Sequence, residues 1–192
     1  NDNAMSELNT VLDALVAHKS TAPFISRKLI QRFVTSNPSP DYIERVANAF
    51  GTTGDLKSVI RAILLDKEAR NPSVSGSTSF GKFKEPILQL SALLRLFQAS
   101  SQIPLGDGEQ GLNLTLANKF DNGVSLMRIG DLNLGQRALG SPSVFNFFLP
   151  DFSPTGEVSQ RSLVSPELQL LTETQLFTTL NIYSTLLSHG LY

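Results

Sequence analysis

Thr21–Val34 reads TAPFISRKLIQRFV, Thr35–Pro40 reads TSNPSP, and Asp41–Phe50 reads DYIERVANAF. Ile25, Leu29 and Phe33 recur at i, i+4 and i+8, which predicts a helix with those side chains on its inner face. Thr21 fits its N-cap, and Pro23 falls in the first turn, where a missing N–H costs nothing. Asn37-Pro38-Ser39-Pro40 then breaks the chain, because a residue before proline is driven out of the α region. Ser39 can cap a second helix with Pro40 at its first position and Asp41 at the positive end of its dipole. Tyr42, Ile43, Val46, Ala47 and Phe50 form the buried face of that helix.

The same helical period extends outward. Upstream, Ser6–Ala17 carries Leu8, Val11, Leu12, Leu15 and Val16 on one stripe. Downstream, 51–54 is a turn, and Asp55–Arg70 reads as a single helix with Leu56, Val59, Ile60, Ile63 and Leu64 on one side. Residues 72–81 (PSVSGSTSFG) form a Ser/Gly linker. Glu85-Pro86 opens a helix running to Ala99, with Ile87, Leu90, Leu93, Leu94 and Phe97 inward. Residues 100–113 read as loop, with short helical turns at Leu114–Phe120 and Ser125–Arg128. Residues 140–156 (GSPSVFNFFLPDFSPTG) are irregular and rich in Phe, and Ser165-Pro166 starts a long final helix stopped by Gly190.

No segment shows period-2 alternation, so the chain reads as all-α. The expected architecture is a multi-helix orthogonal or bundle-like array with an irregular Phe/Pro-rich segment before the last long helix. An N-terminal four-helix unit (1–71), the linker (72–81) and a C-terminal helical unit (82–192) divide it, unless all of it forms one compact domain.

A chain of 192 residues buries roughly 70% of its unfolded surface, so it needs no metal or disulfide to hold together. It has no cysteine, which removes thiolate metal sites, disulfides and cysteine nucleophiles. A net charge of −1 argues against nucleic acid as a partner. No apolar run is long enough to span a membrane. The first residues, NDNAMSELN, lack a signal peptide's basic and apolar regions and do not start with Met, which points to a processed or truncated piece of a longer protein.

Several short motifs carry a family resemblance. They are Ala17-His18, Thr21-Ala22, Phe24-Ile25, Lys28-Leu29-Ile30, Phe33-Val34, Asn37-Pro38, Gly54-Asp55-Leu56 and Ala62-Ile63-Leu64-Leu65. Lys84, Pro86, Leu94-Arg95, Leu134-Gly135-Gln136, Pro142 to Phe148, Pro150-Asp151 and Ser165 to Gln169 continue it. With these the chain resembles the bacterial family called domain of unknown function 1800, over nearly its whole length. Lys19 and Ser20 stand where that family often has proline after the histidine. Members are typically much longer, so the resemblance implies the C-terminal portion of an exported bacterial protein (periplasm or cell surface). It also implies a sulfatase-like companion family as partner, and neither a reaction nor catalytic residues.

The reactive side chains are sparse. His18 can serve as a general base or ligand. No second ligand accompanies it at metal spacing, and a helix-end histidine bonding nearby backbone is the favoured reading. Arg27, Lys28, Arg32, Arg45 and Arg61 can converge on a phosphate, sulfate or carboxylate. Arg27 with Arg32, or Lys28 with Arg32, would share part of a face. Glu44, Asp55 and Asp66 are acidic partners that favour a solvated, salt-bridged surface instead. Phe145, Phe147, Phe148 and Phe152 can line a groove for a peptide or sugar, or anchor their loop on the core, which is favoured. Asp107-Gly108-Glu109 lacks the full spacing of a calcium loop. No nucleophile elbow, P-loop or dinucleotide fingerprint is present.

Sequence therefore points to a non-catalytic helical structural or interaction module, with His18, Arg27, Arg32, Phe145 and Phe148 as candidate binding residues and no metal or cofactor. The alternatives are part of an enzyme completed by a preceding region, and an anion- or polysaccharide-binding module.

Overall fold

A computed structural model describes residues 2–71, 77–98, 134–136 and 139–188. Among them all regular structure is helical, with one isolated bridge between Ser143 and Asn146, and the fold is all-α. The order is α1 (Asp2–Ala17), α2 (Thr21–Phe33), α3 (Pro40–Phe50), α4 (Leu56–Leu65), α5 (Lys67–Arg70), α6 (Pro86–Leu96), α7 (Glu157–Gln160), a 3₁₀ turn (Pro166–Leu170) and α8 (Glu173–Ser188). The short turns expected at Leu114–Phe120 and Ser125–Arg128, the Asp107–Glu109 motif and Gly190 lie outside the described residues. The chain divides into two compact units, one of residues 1–82 with 153–165 and the other of 83–152 with 166–192.

In the first unit α2, α3 and α4 pack together around Ile30, Tyr42, Val46, Phe50, Val59 and Ile63, all nearly or fully buried. Ala22, Ile25, Leu29, Val34, Ile43, Ile60 and Ala62 fill in around them. Helix α3 starts as its sequence dictates: Ser39 is extended, its hydroxyl accepts the Tyr42 amide, and Pro40 occupies the first helical position. Gly51 and Gly54 close the α3–α4 turn at φ +60° and +70°. A Cβ at Gly54 would sit 3.1 Å from the Phe50 ring, so that turn demands glycine twice over.

Several expectations are corrected. Thr21 is the first residue of α2 rather than its cap; its hydroxyl donates to Leu15 O at 2.6 Å, tying α2 back to α1. Phe33 is 52% exposed, and Ile30 takes the inward place beside Leu29. The helix expected over Asp55–Arg70 is two, because Asp66 adopts an extended conformation (φ −60°, ψ +145°). Its carboxylate accepts the Glu68 amide and restarts the helix as α5. The final helix is interrupted as well: Pro166–Leu170 is 3₁₀, and α8 begins after Thr172, whose hydroxyl accepts the Gln175 amide.

Residues 153–165 are fastened to the first unit by Asn37. Its side-chain amide donates to Val164 O at 2.9 Å and its carbonyl accepts the Val164 amide at 2.9 Å, as a paired strand residue would. The far end of the Ser/Gly-rich stretch is also held. Gly81 N donates to Thr35 Oγ1, Ser36 N donates to Gly81 O, and Lys82 Nζ donates to the Gln31 and Arg32 carbonyls. Those carbonyls end α2, where a cation meets the negative end of the dipole.

In the second unit Leu90 and Leu134 are buried, with Ile87, Leu94, Ile182 and Tyr183 packed against them. Tyr183 on α8 donates its hydroxyl to Pro86 O at 2.9 Å, at the start of α6. Phe97 lies just past α6 and is exposed, against the expectation that it faces inward.

Candidate functional site

The polar groups of the first unit concentrate where α3, α4 and α5 meet. Arg45 Nε donates to Asp66 Oδ2 at 2.7 Å and its terminal nitrogen to Oδ1 at 2.8 Å, a bidentate fork. Glu68 Oε2 lies 3.8 Å from the same guanidinium and accepts the Ser39 hydroxyl, while Oε1 accepts the Ser39 amide. The bond from Arg45 holds the Asp66 carboxyl below the usual carboxylate range, and the same bond raises the Arg45 guanidinium. Tyr42 is buried beside this cluster and donates to Ile63 O at 2.7 Å; burial first, and the nearby carboxylates second, push its phenol well up. These bonds weld three helices together.

The sequence candidates disperse over the surface. His18 sits in the α1–α2 turn, where Nδ1 accepts the Ser20 amide at 3.3 Å. Arg27 and Arg32 are exposed on α2, five residues and about 140° apart around the axis, so they do not share a face. Lys28 Nζ lies 5.6 Å over the Phe24 ring. Arg45 is held in a two-bond fork by Asp66. Phe145 is 58% exposed, while Phe147, Phe148 and Phe152 are half-buried. Phe145 rides on a tight turn in which Asn146 N donates to Ser143 O, with Asn146 at φ +70°. Nearby, Gln169 accepts the Leu149 amide at 2.7 Å. Among the described residues no group of three or more His, Asp or Glu side chains is placed to hold a metal, and no helix is long and apolar enough to cross a membrane.

Two buried carboxylates escaped the sequence reading. Glu85 and Glu167 are each 3% exposed. Glu85 accepts the Gln136 side-chain amide at 2.7 Å. Their only sequence signal was position beside a proline at a helical start; Glu85 makes no side-chain capping bond there.

The feature with the clearest capacity to recognise something is α1. Met5, Leu8, Val11, Leu12 and Leu15 are 48–59% exposed and Val16 is 36% exposed. Met5, Leu8, Leu12 and Leu15 follow 3-4-3 spacing, which puts them in one line along the helix. Val16 touches the α3–α4 turn, within 3.6 Å of where a Gly54 Cβ would stand, and α1 meets α2 at their joining turn. The remainder of this apolar line faces outward. The single stripe that the sequence shows here is left largely exposed in the structure. Contiguous exposed apolar area of this kind is a mark of interaction surfaces.

No curated protein and no solved structure matches the chain. Residues 1–190 match the family described as protein of unknown function (DUF1800), and the chain belongs to that family.

Proposed function

We propose that the chain is a non-catalytic helical module that docks an apolar helical partner along α1. The observation that carries this reading is the line Met5, Leu8, Leu12, Leu15, flanked by Val11, standing about half exposed on a helix outside the buried cluster of Ile30, Tyr42, Val46, Phe50, Val59 and Ile63. Leaving such a line in water forgoes roughly 25 cal/mol for each Å² that a partner would cover. The fixed polar groups support the reading from the other side: the Arg45 fork, the Ser39–Glu68 pair and His18 Nδ1 are each engaged within the fold. Export by a bacterium, and a sulfatase-like companion, belong to this proposal through the family resemblance.

The test is a triple variant, Leu8→Gln, Leu12→Gln, Leu15→Gln, which keeps helix-forming residues while removing the apolar line. At submicromolar chain concentration, where any self-association is dissolved, binding of a dye that fluoresces on exposed apolar surface should fall several-fold relative to the parent. Unchanged dye binding would remove α1 as the docking surface. Turnover of a defined substrate by this chain, abolished by one substitution that leaves it folded, would overturn the non-catalytic reading.

A further inference from the structure

We infer that the occupant of the α1 face is a second copy of the same face, packed antiparallel around a two-fold axis; this rests on the docking role proposed above. The sequence register is self-complementary. With Met5 and Leu12 at a positions, Leu8 and Leu15 fall at d, Val11 and His18 at g, and Asn9 and Val16 at e. Reversing one helix about a point level with Thr10 sets Met5 against Leu15 of the other copy and Leu8 against Leu12. Each apolar layer then meets an apolar layer, and Val11 lies beside its own equivalent near the axis. Of the three carboxylates of α1, Glu7 and Asp13 fall at c and b, away from the seam, and Asp2 falls at e on its edge, so none lies at an a or d position.

Area supports a pair. The six side chains retain 36–59% of their surface. Covering that on two copies removes about 1,000 Å², the lower edge of specific pairwise interfaces. An isologous contact of this kind closes on itself and stops at two chains. Direction is set by bulk. Among the described residues, the C-terminal end of α1 meets the rest of its unit through the α1–α2 turn and the contact of Val16 with the α3–α4 turn. A parallel pair would force two such bodies against each other at one end. The antiparallel pair places them at opposite ends and also aligns the helix dipoles favourably.

The native chain has no cysteine, so single-cysteine labels report cleanly. Sedimentation equilibrium should show a monomer–dimer equilibrium at micromolar concentration, weakened more than tenfold by Leu12→Glu, while helical content is unchanged. Spin labels on Thr10→Cys, at the outer face, should stand level with their own copies, at the shortest separation of the outer-face sites. Labels on Asn3→Cys should be farther apart, with an axial offset of about 21 Å at 1.5 Å per residue, and mixed Asn3→Cys and Ala17→Cys chains should restore the short distance. A chain that stays monomeric while retaining its dye binding overturns the second copy as occupant and leaves the docking surface standing. Equal short distances at residues 3 and 10 overturn the antiparallel arrangement.

Discussion

Arg45 grips Asp66 with two parallel bonds of 2.7 and 2.8 Å, and the same carboxylate accepts the amide that starts α5. One side chain thus ends α4, begins α5 and fastens both to α3. Asp66→Ala removes the fork and the cap together and should cost about 2–3 kcal/mol. Arg45 is about one-third exposed, so Arg45→Met should cost less, about 1 kcal/mol. Urea denaturation of the two variants measures the difference. Equal losses would show that the cap contributes nothing of its own.

Asp66 gives the fold an acid limit. Its carboxyl is held below its unfolded value by the Arg45 bond, and that of Asp55 by the Ser58 hydroxyl and the Lys57 amide. A depressed carboxylate contributes stability that is present above its unfolded pKa, about 3.9, and is lost as pH falls through the lower folded value. Unfolding followed from pH 7 to pH 2 should therefore show stability falling below about pH 4, and Asp66→Asn should flatten that limb.

The alkaline side has a separate cause. Burial raises the phenols of Tyr42 and Tyr183 above their ordinary value of 10.0. A raised group contributes stability that is complete below the unfolded pKa and is lost as pH rises from there through the folded value. Stability should decline above pH 10, and Tyr42→Phe should shallow that decline. At pH 7 the same variant should cost about 1 kcal/mol, because the Ile63 carbonyl loses its buried donor.

Asn37 makes a prediction about one segment. Its two bonds to Val164 hold residues 153–165 in the first unit, with Ser153 closing on Leu163 O. Asn37→Ala should cost about 1–3 kcal/mol and raise proteolytic cleavage within 153–165 before the rest of the chain is cut. Cleavage distributed as in the parent would show that other contacts retain the segment.

How far these features are legible in the sequence depends on how local their causes are. Helix α3 is readable in full, because Ser39, Pro40 and the Tyr42–Val46–Phe50 stripe lie within twelve residues. The buried face of α2 is misread by one position, since both Leu29-Phe33 and Ser26-Ile30 are i, i+4 lines and only packing on α3 and α4 chooses Ile30. The α4–α5 break carries no Pro or Gly; it follows from the demand of Arg45 on Asp66, 21 positions away. The Asn37–Val164 pair spans 127 positions and leaves no local trace. On α1 the stripe itself is plain in the sequence, but periodicity marks an apolar face without saying what covers it. Phe145 shows the same limit: its ring is obvious in the sequence, and its exposure follows from a turn at Ser143–Asn146 that composition does not announce.

The central claim is that the α1 line is held ready for a partner and does not stabilise its own unit. Urea unfolding of the parent and of the Leu8→Gln, Leu12→Gln, Leu15→Gln variant, at submicromolar concentration where any association is dissolved, tests it most directly. The account predicts free energies of unfolding within about 1 kcal/mol of each other, as for substitutions on a solvated surface. A loss above about 4 kcal/mol, the scale of leucines removed from a core, would contradict it.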